Sequence, residues 1–218
     1  MKTLSKTTAI QDARHYLFVL ALLLLALAPG LANAQVPITS LYNTGVDDNG
    51  ATLNNGKPNG SVDLHYSIVS GPATFYKGGF TGGLAYTTVP NPLWWQGPLD
   101  AEWVNPVNNG SNGSAYAPQG TYDYQTTFYL KEDCIDLDTQ TVVLQGNFAA
   151  DDAACIWVNG TNTGQCTTGF AGTETPFKIT GGTGLFVLGI NRLDFVVQNT
   201  PSGNSPTGLL VEITGSVH

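Results

Sequence analysis

Short apolar runs, each closed by turn-forming residues, recur along most of the chain and restrict its fold more than any other feature. Between residues 62 and 215, ten runs of four to ten residues are rich in β-branched and aromatic side chains. No segment repeats apolar residues at the period of an amphipathic helix, so the pattern predicts an all-β protein. Strands of this number and length fit a two-sheet sandwich or a closed barrel. Residues 200–207 (TPSGNSPT), with two prolines, are predicted to be a loop.

The first 34 residues have the order of a secretory signal peptide. Three basic residues precede an apolar run, and Ala32-Asn33-Ala34 supplies a small-residue cleavage site before Gln35. A membrane anchor is the weaker interpretation, because the apolar part, residues 16–28, is shorter than the roughly 20 residues of a spanning helix. We expect residues 1–34 to be removed. The product would be a secreted or cell-surface protein with one domain, residues 35–218, and no membrane contact.

The predicted mature chain is strongly acidic. The whole sequence holds 8 Lys and Arg against 16 Asp and Glu. Removal of residues 1–34 takes away three basic residues and one acidic residue, which leaves 5 against 15 and a net charge of −10. Such a surface repels phosphate backbones and anionic lipids, so binding to nucleic acid or to a membrane surface is not expected. Neutral ligands and divalent cations are compatible with it.

Two cysteines flank a hairpin signal, CIWVNGTNTGQC. Because the hairpin returns the chain to the point where it left, Cys155 and Cys166 are predicted to form a disulfide, a bond that persists in exported proteins. A two-residue loop that starts at Gly160 would place the cysteines directly opposite each other. A loop that starts at Asn159, which turn chemistry favours, would oppose Cys155 to Gly164 and require a bulge. The sequence leaves both registers open.

The remaining polar residues give weak signals for catalysis or metal binding. Cys134 is left as a free thiol, for which we expect burial rather than a bond to another chain. His65 is the one internal histidine of the mature chain and no nucleophile motif accompanies it, so we interpret it as structural and predict no catalytic residue. Asp151 and Asp152 stand side by side in a turn. They are candidate calcium ligands, against the simpler interpretation of a solvated turn.

Adjacent tryptophans in the stretch NPLWWQGPLD offer a candidate ligand-binding surface. Sugars are usually bound by aromatic faces with polar groups beside them, so Trp94, Trp95 and Tyr116 are the candidate ligand-binding residues. On a regular strand the two tryptophans would face opposite sides, and the simpler interpretation puts one in the core and the other over its edge. Trp103 and Trp157 are open to the same two interpretations, and Trp103 is the more core-like.

Two motifs in the second half resemble those of a known module. A strand that ends in Val158-Asn159-Gly160 and a later turn at residues 189–193 (GINRL) resemble the galactose-binding-like jelly roll carried by many glycoside hydrolases. Over most of residues 36–216 the chain is also similar to ectodomains of secreted bacterial proteins of the PEP-CTERM type, which open much as ITSLYNTGVDDNGATL does here. The sorting tail of that class does not follow GSVH, so anchoring by that route is not expected. The resemblance implies a two-sheet antiparallel jelly-roll β-sandwich used for binding or display, often of carbohydrate.

Together these observations predict a secreted, non-catalytic surface, matrix or carbohydrate-binding module whose ligand is an extracellular glycan. The alternative is a self-associating structural or adhesive subunit that uses exposed sheet edges or Cys134 as contacts. A glycoside hydrolase is the least supported reading. It requires two well-placed carboxylates, and the predicted mature chain offers fifteen acidic residues without marking a pair.

Overall fold

All regular structure in the described part of the chain is β-strand, and the strands pair antiparallel. The computed structural model describes residues 35–53, 60–72, 83–96, 100–109 and 116–218. The predicted signal peptide, residues 1–34, and a predicted strand at residues 73–76 lie outside these ranges. Within these ranges the all-β prediction is confirmed, and no helix has the length and apolar character needed to cross a membrane.

Eleven strands account for this architecture in the described residues. They are β1 (Val36–Pro37), β2 (Val62–Ser70), β3 (Gly83–Thr87), β4 (Val104–Asn105), β5 (Tyr116–Leu130), β6 (Val142–Asp151), β7 (Ala153–Val158), β8 (Thr161–Thr167), β9 (Thr175–Gly181), β10 (Gly189–Pro206) and β11 (Gly208–Val217).

The strands form one antiparallel sheet that is not closed into a barrel, in the order β8-β7-β10-β5-β2-β3-β4-β11-β6-β9, with β1 paired to β11. The two-residue strand β4 connects its halves. Val104 pairs with Thr87 of β3 and with Leu209 of β11. We call β8, β7, β10, β5 and β2 the β10 wing, and β11, β6 and β9 the β6 wing.

The inner faces of both wings bury their side chains in a single core. Phe148 of β6 meets Phe177 of β9 edge-on, with ring centroids 5.6 Å apart, and reaches Phe195 of β10 at 6.1 Å. Burial of a side chain of this size contributes roughly 1.5–3 kcal/mol, so contacts between the wings are a main source of stability. On each strand the alternate residues face outward, and these outer faces are the surfaces available for binding.

The β7-β8 hairpin satisfies both of the preferences that the sequence left open. Val158 pairs with Thr161, so the loop is Asn159-Gly160, and both loop residues have positive φ, 49° and 82°. Cys155 nevertheless lies opposite Cys166, with a Cα–Cα distance of 4.1 Å and a disulfide between them. A register shift between the turn and the cysteines makes this possible. Between the two paired positions, β8 has two more residues than β7, which is a β-bulge. The predicted Cys155–Cys166 disulfide is confirmed.

Two predictions from the sequence are wrong. Cys134 is exposed in the loop after β5, not buried, because the apolar residues that anchor this loop are its neighbours Ile135 and Leu137. Residues 200–207 are not a plain loop, since β10 continues to Pro206, which pairs with Tyr116 after a register shift at Asn199. Pro201 falls within the register shift, where β10 has no partner on β5, and Pro206 stands at the last position of the strand.

Candidate functional site

The outer face of the β6 wing is polar at one end and apolar at the other. On β6 the outward residues include Gln145, Asn147 and Ala149, with the buried Phe148 between them on the core side. Asn147 pairs with Glu212 of β11, and Ala149 pairs with Leu210. A polar row therefore lies directly beside an apolar row on the same face of the sheet.

A groove of about 480 Å³ lies over the polar end. Its polar side chains come from three strands and two loops: Asn43, Asp100, Gln145, Asn147, Lys178, Glu212 and Thr214. The loop residues are tied to β11. Asn43 accepts a hydrogen bond from the Ile213 amide at 2.8 Å and donates to the Asp100 carbonyl at 2.9 Å, and the Asp100 amide donates to Glu212 at 3.0 Å. The groove is thus a preformed concavity within the size range of small-ligand sites.

Carboxylates dominate the electrostatics near this groove. Asp100 and Glu212 line it, Lys178 is its one basic side chain among the described residues, and Glu174 stands just before β9. Burial and the charge of Glu212 raise the pKa of Glu174 to about 7. Its buried Oε1 atom has no hydrogen-bond partner among the described residues. The site therefore disfavours anionic ligands and is compatible with neutral or cationic ones.

Tryptophans cover the apolar end of the same face. Trp94, Trp103 and Ala101 form a second apolar cluster with Ala149 and Leu210, against which Trp95 and Phe170 pack. The rings of Trp94 and Trp103 are 4.4 Å apart between centroids, at an angle of 35°. The cluster attaches the loop before β4 to the sheet immediately beside the polar groove.

The three aromatic residues singled out in the sequence lie in different environments. Trp94 is 2% exposed and donates a hydrogen bond from Nε1 to Asp151 at 2.6 Å, so its ring presents no open face. Trp95 is half-buried, and its Nε1 has no hydrogen-bond partner among the described residues. Tyr116 is exposed but belongs to β5, on the other wing and outside the groove lining. Trp95 is the one of the three that combines partial exposure with a position beside the groove.

The predicted calcium ligands are engaged in hydrogen bonds with the protein. Asp151 is buried and accepts from Trp94, and burial followed by the adjacent Asp152 raises the pKa of Asp151 to about 7. Asp152 accepts from the amide and hydroxyl of Thr200 at 2.7 and 2.8 Å. No group of three or more His, Cys, Asp or Glu able to hold a metal occurs among the described residues. Because Ca²⁺ takes six to eight oxygen ligands, this pair fits the ion poorly.

The two motif asparagines contact each other. Asn159, in the β7-β8 turn, donates to the Asn191 side chain and to the Leu185 carbonyl, both at 2.9 Å. Asn191 is fully buried, accepts from the Val187 amide and donates to the Val187 carbonyl. The motifs therefore fix the loop before β10 to the hairpin, which is a structural role. His65 is also packed, stacked on Tyr42 with centroids 3.6 Å apart.

Sequence reasoning missed the groove itself. Its lining extends from Asn43 to Thr214, so no local motif marks it. The one available signal was the alternation in VVLQGNFAAD, which places Gln145 and Asn147 on the face opposite the core residue Phe148. Identifying that face as a site required knowing which loops cover it.

No model of a known protein family matches the chain, and no curated protein matches its sequence. The geometry of the groove is therefore the basis for assigning a function.

Proposed function

We propose that the protein is a non-catalytic carbohydrate-binding module and that the groove on the β6 wing is its binding site. The observation that carries this proposal is the groove's lining of amide and carboxylate side chains beside a tryptophan cluster. Sugar hydroxyls both donate and accept hydrogen bonds, and Asn147 offers a side-chain amide that makes no hydrogen bond to other described residues. Phe177 in the groove lining is buried, and the half-buried Trp95 packs against the tryptophan cluster beside this row.

The proposed fold is the two-sheet jelly-roll sandwich of the galactose-binding-like type. It is supported by the single core shared by the two wings and by the bond between Asn159 and Asn191, which joins the two motifs of the resemblance. In this interpretation β4 is a narrow bridge between two sheets. Secretion, and a relationship to PEP-CTERM ectodomains, are part of the same proposal. The disulfide supports secretion because disulfides persist in oxidising compartments.

A glycoside hydrolase is the second candidate, and one observation favours it. Glu174 has a pKa of about 7, raised by burial and by Glu212. A carboxyl group with a pKa raised toward neutrality, close to a second carboxyl group, is the arrangement that glycosidases use. Release of reducing sugar from any bound glycan, lost in Glu174→Gln, would favour this candidate over simple binding.

The test of the binding proposal is a glycan array, followed by titration of the best neutral glycan. Asn147→Ala removes one set of hydrogen bonds from the groove, and we expect the affinity to fall about tenfold, as for a lost bond of about 1.4 kcal/mol. Gln198→Ala is the matched control, because it removes the same kind of side chain from an exposed position on β10. An equal loss in both variants, or no binding by folded wild-type protein, would contradict the proposal.

Calcium is tested in the same experiment. Repeating the array and a thermal melt with Ca²⁺ and then with EDTA asks whether Asp151 and Asp152 form a site. Their hydrogen bonds to Trp94 and Thr200 lead us to expect no change in either measurement. A melting temperature that rises with Ca²⁺ and falls with EDTA would establish the metal site predicted from the sequence.

A further inference from the structure

A second surface, on the outer face of the β10 wing, is apolar and exposed. Ile190 of β10 is 71% exposed and pairs directly with Tyr129 of β5, which is 47% exposed. Val187 and Leu188, in the loop just before β10, are also exposed. We call these four residues the Ile190 patch. Large apolar side chains exposed together, unlike single ones, mark interaction sites.

The Ile190 patch is held rigidly. Asn191 accepts from the Val187 amide at 2.9 Å and donates to the Val187 carbonyl at 2.7 Å and to the Gly189 carbonyl at 3.3 Å. Between these residues and the core, Phe186 is buried against Phe128. The exposed side chains are therefore presented by a loop that is already ordered, which lowers the entropy cost of docking.

Charged residues flank the patch on two sides, with a guanidinium on one side and two exposed carboxylates on the other. Toward the centre of the wing, Arg192 is half-exposed, with its Nε 2.9 Å from Asp194. Beyond the other end, the loop after β5 presents Glu132 and Asp133 to solvent. Glu132 Oε1 lies only 3.7 Å from the position of a Cβ on Gly189, the residue before Ile190. Ile190 thus lies between the half-exposed Arg192, which also pairs with Asp194, and a loop that carries two exposed carboxylates and Lys131.

We propose that the Ile190 patch docks a second copy of this chain. In an isologous dimer each residue faces the position related to it by the two-fold axis. An axis that crosses the strands at Ile190 places Arg192 of each copy over the acidic loop, Glu132 and Asp133, of the other. The apolar residues then meet at the centre. Tyrosine and arginine, both present here, are enriched at the energetic centres of such interfaces.

Sedimentation velocity over a range of concentrations tests the proposal. All variants carry Cys134→Ser, so that a disulfide between exposed thiols does not produce a dimer by itself. We expect a reversible monomer–dimer equilibrium, and Ile190→Asp should raise its dissociation constant at least about tenfold. Leu64→Asp is the matched control and should change nothing, because Leu64 is 80% exposed on β2 and lies outside the patch.

A second variant tests the charge pairing. Glu132→Lys with Asp133→Lys leaves the apolar residues intact but places like charges over the partner's Arg192, so it should weaken the dimer severalfold. Both residues are exposed, and the fold is expected to survive the change. A wild-type protein that stays monomeric at every concentration would overturn the proposal. So would an Ile190→Asp variant that dimerises as well as the Leu64→Asp control.

Discussion

At the scale of single residues, the environment of Glu174 shows how burial next to a like charge changes a carboxyl group. Burial is the larger cause and Glu212 the smaller one, and together they raise the pKa of Glu174 to about 7. The pKa of Asp123, in β5 on the other wing, is shifted in the same direction, because burial and the charge of Asp194 raise it to about 6. In both positions the protonated form is favoured in the folded protein more than in the unfolded chain.

This shift predicts a pH dependence of stability. Between its ordinary pKa of 4.5 and about 7, folded Glu174 keeps a proton that the unfolded chain releases, so the free energy of unfolding falls as pH rises through this window. Urea denaturation of the wild type and of Glu174→Gln at pH 5 and pH 8 measures the effect. We expect a shallower decrease in the variant, and an equal or steeper decrease would refute the assignment.

Residue roles that depend on local chemistry were predictable, and those that depend on the three-dimensional context were not. The Cys155–Cys166 bond follows from a hairpin contained in twelve residues. The burial of Trp94 depends on Asp151, 57 positions away, whose carboxylate accepts its indole N–H. The sequence indicated that one of the two adjacent tryptophans would be covered, but not that Trp94 would be that residue.

At the scale of elements, the β7-β8 hairpin shows turn chemistry and disulfide geometry both satisfied by a bulge. Asn159 and Gly160 keep the favoured turn, and β8 takes up two additional residues before Cys166. The Asn162 side chain accepts from the Gly164 amide at 2.8 Å inside the bulge, and Thr163 donates to the Ile156 carbonyl at 2.7 Å. Neither requirement was wrong, and sequence patterns alone do not reveal where an element absorbs additional residues.

A deletion tests this explanation. Removing Gly164 and Gln165 takes out the two additional residues and restores a regular ladder in which Cys155 still faces the second cysteine. We expect the disulfide to form, so that thiol titration in denaturant finds one free thiol, that of Cys134. Cys155→Ser, as the control, should give two. Three free thiols in the deletion variant would show that the bulge itself is needed for the bond.

At the scale of the whole molecule, the proposed sandwich places the two candidate surfaces on opposite sides. The groove is on the outer face of the β6 wing and the Ile190 patch on the outer face of the β10 wing, with the shared core between them. Self-association through the sheet edges, the alternative suggested by the sequence, is opposed by Pro176 and Lys178 on β9 and by the bulge on β8. The all-β class was predictable from turn and strand patterns, whereas both surfaces depend on which distant loops meet.

This arrangement predicts that a dimer would bridge two glycan chains. With the β10 wings in contact, the two grooves point outward on opposite sides, so the protein should increase the light scattering of a soluble polysaccharide that it binds. Ile190→Asp should bind each glycan unit with unchanged affinity and yet fail to increase the scattering. Asn147→Ala should lose both the affinity for the glycan and the increase in light scattering. If Ile190→Asp increases the light scattering as much as the wild-type protein does, this mode of bridging is excluded.

The bond between Asn159 and Asn191 has a consequence for recognising distant relatives of this chain. Asn159 donates to the Asn191 side-chain oxygen, so replacing either residue removes this bond between the hairpin and the loop. The two positions should therefore vary together during evolution, although 31 residues separate them. A pairwise signature of this kind identifies the packing of a loop on a hairpin, and it retains its meaning after the rest of the sequence has diverged.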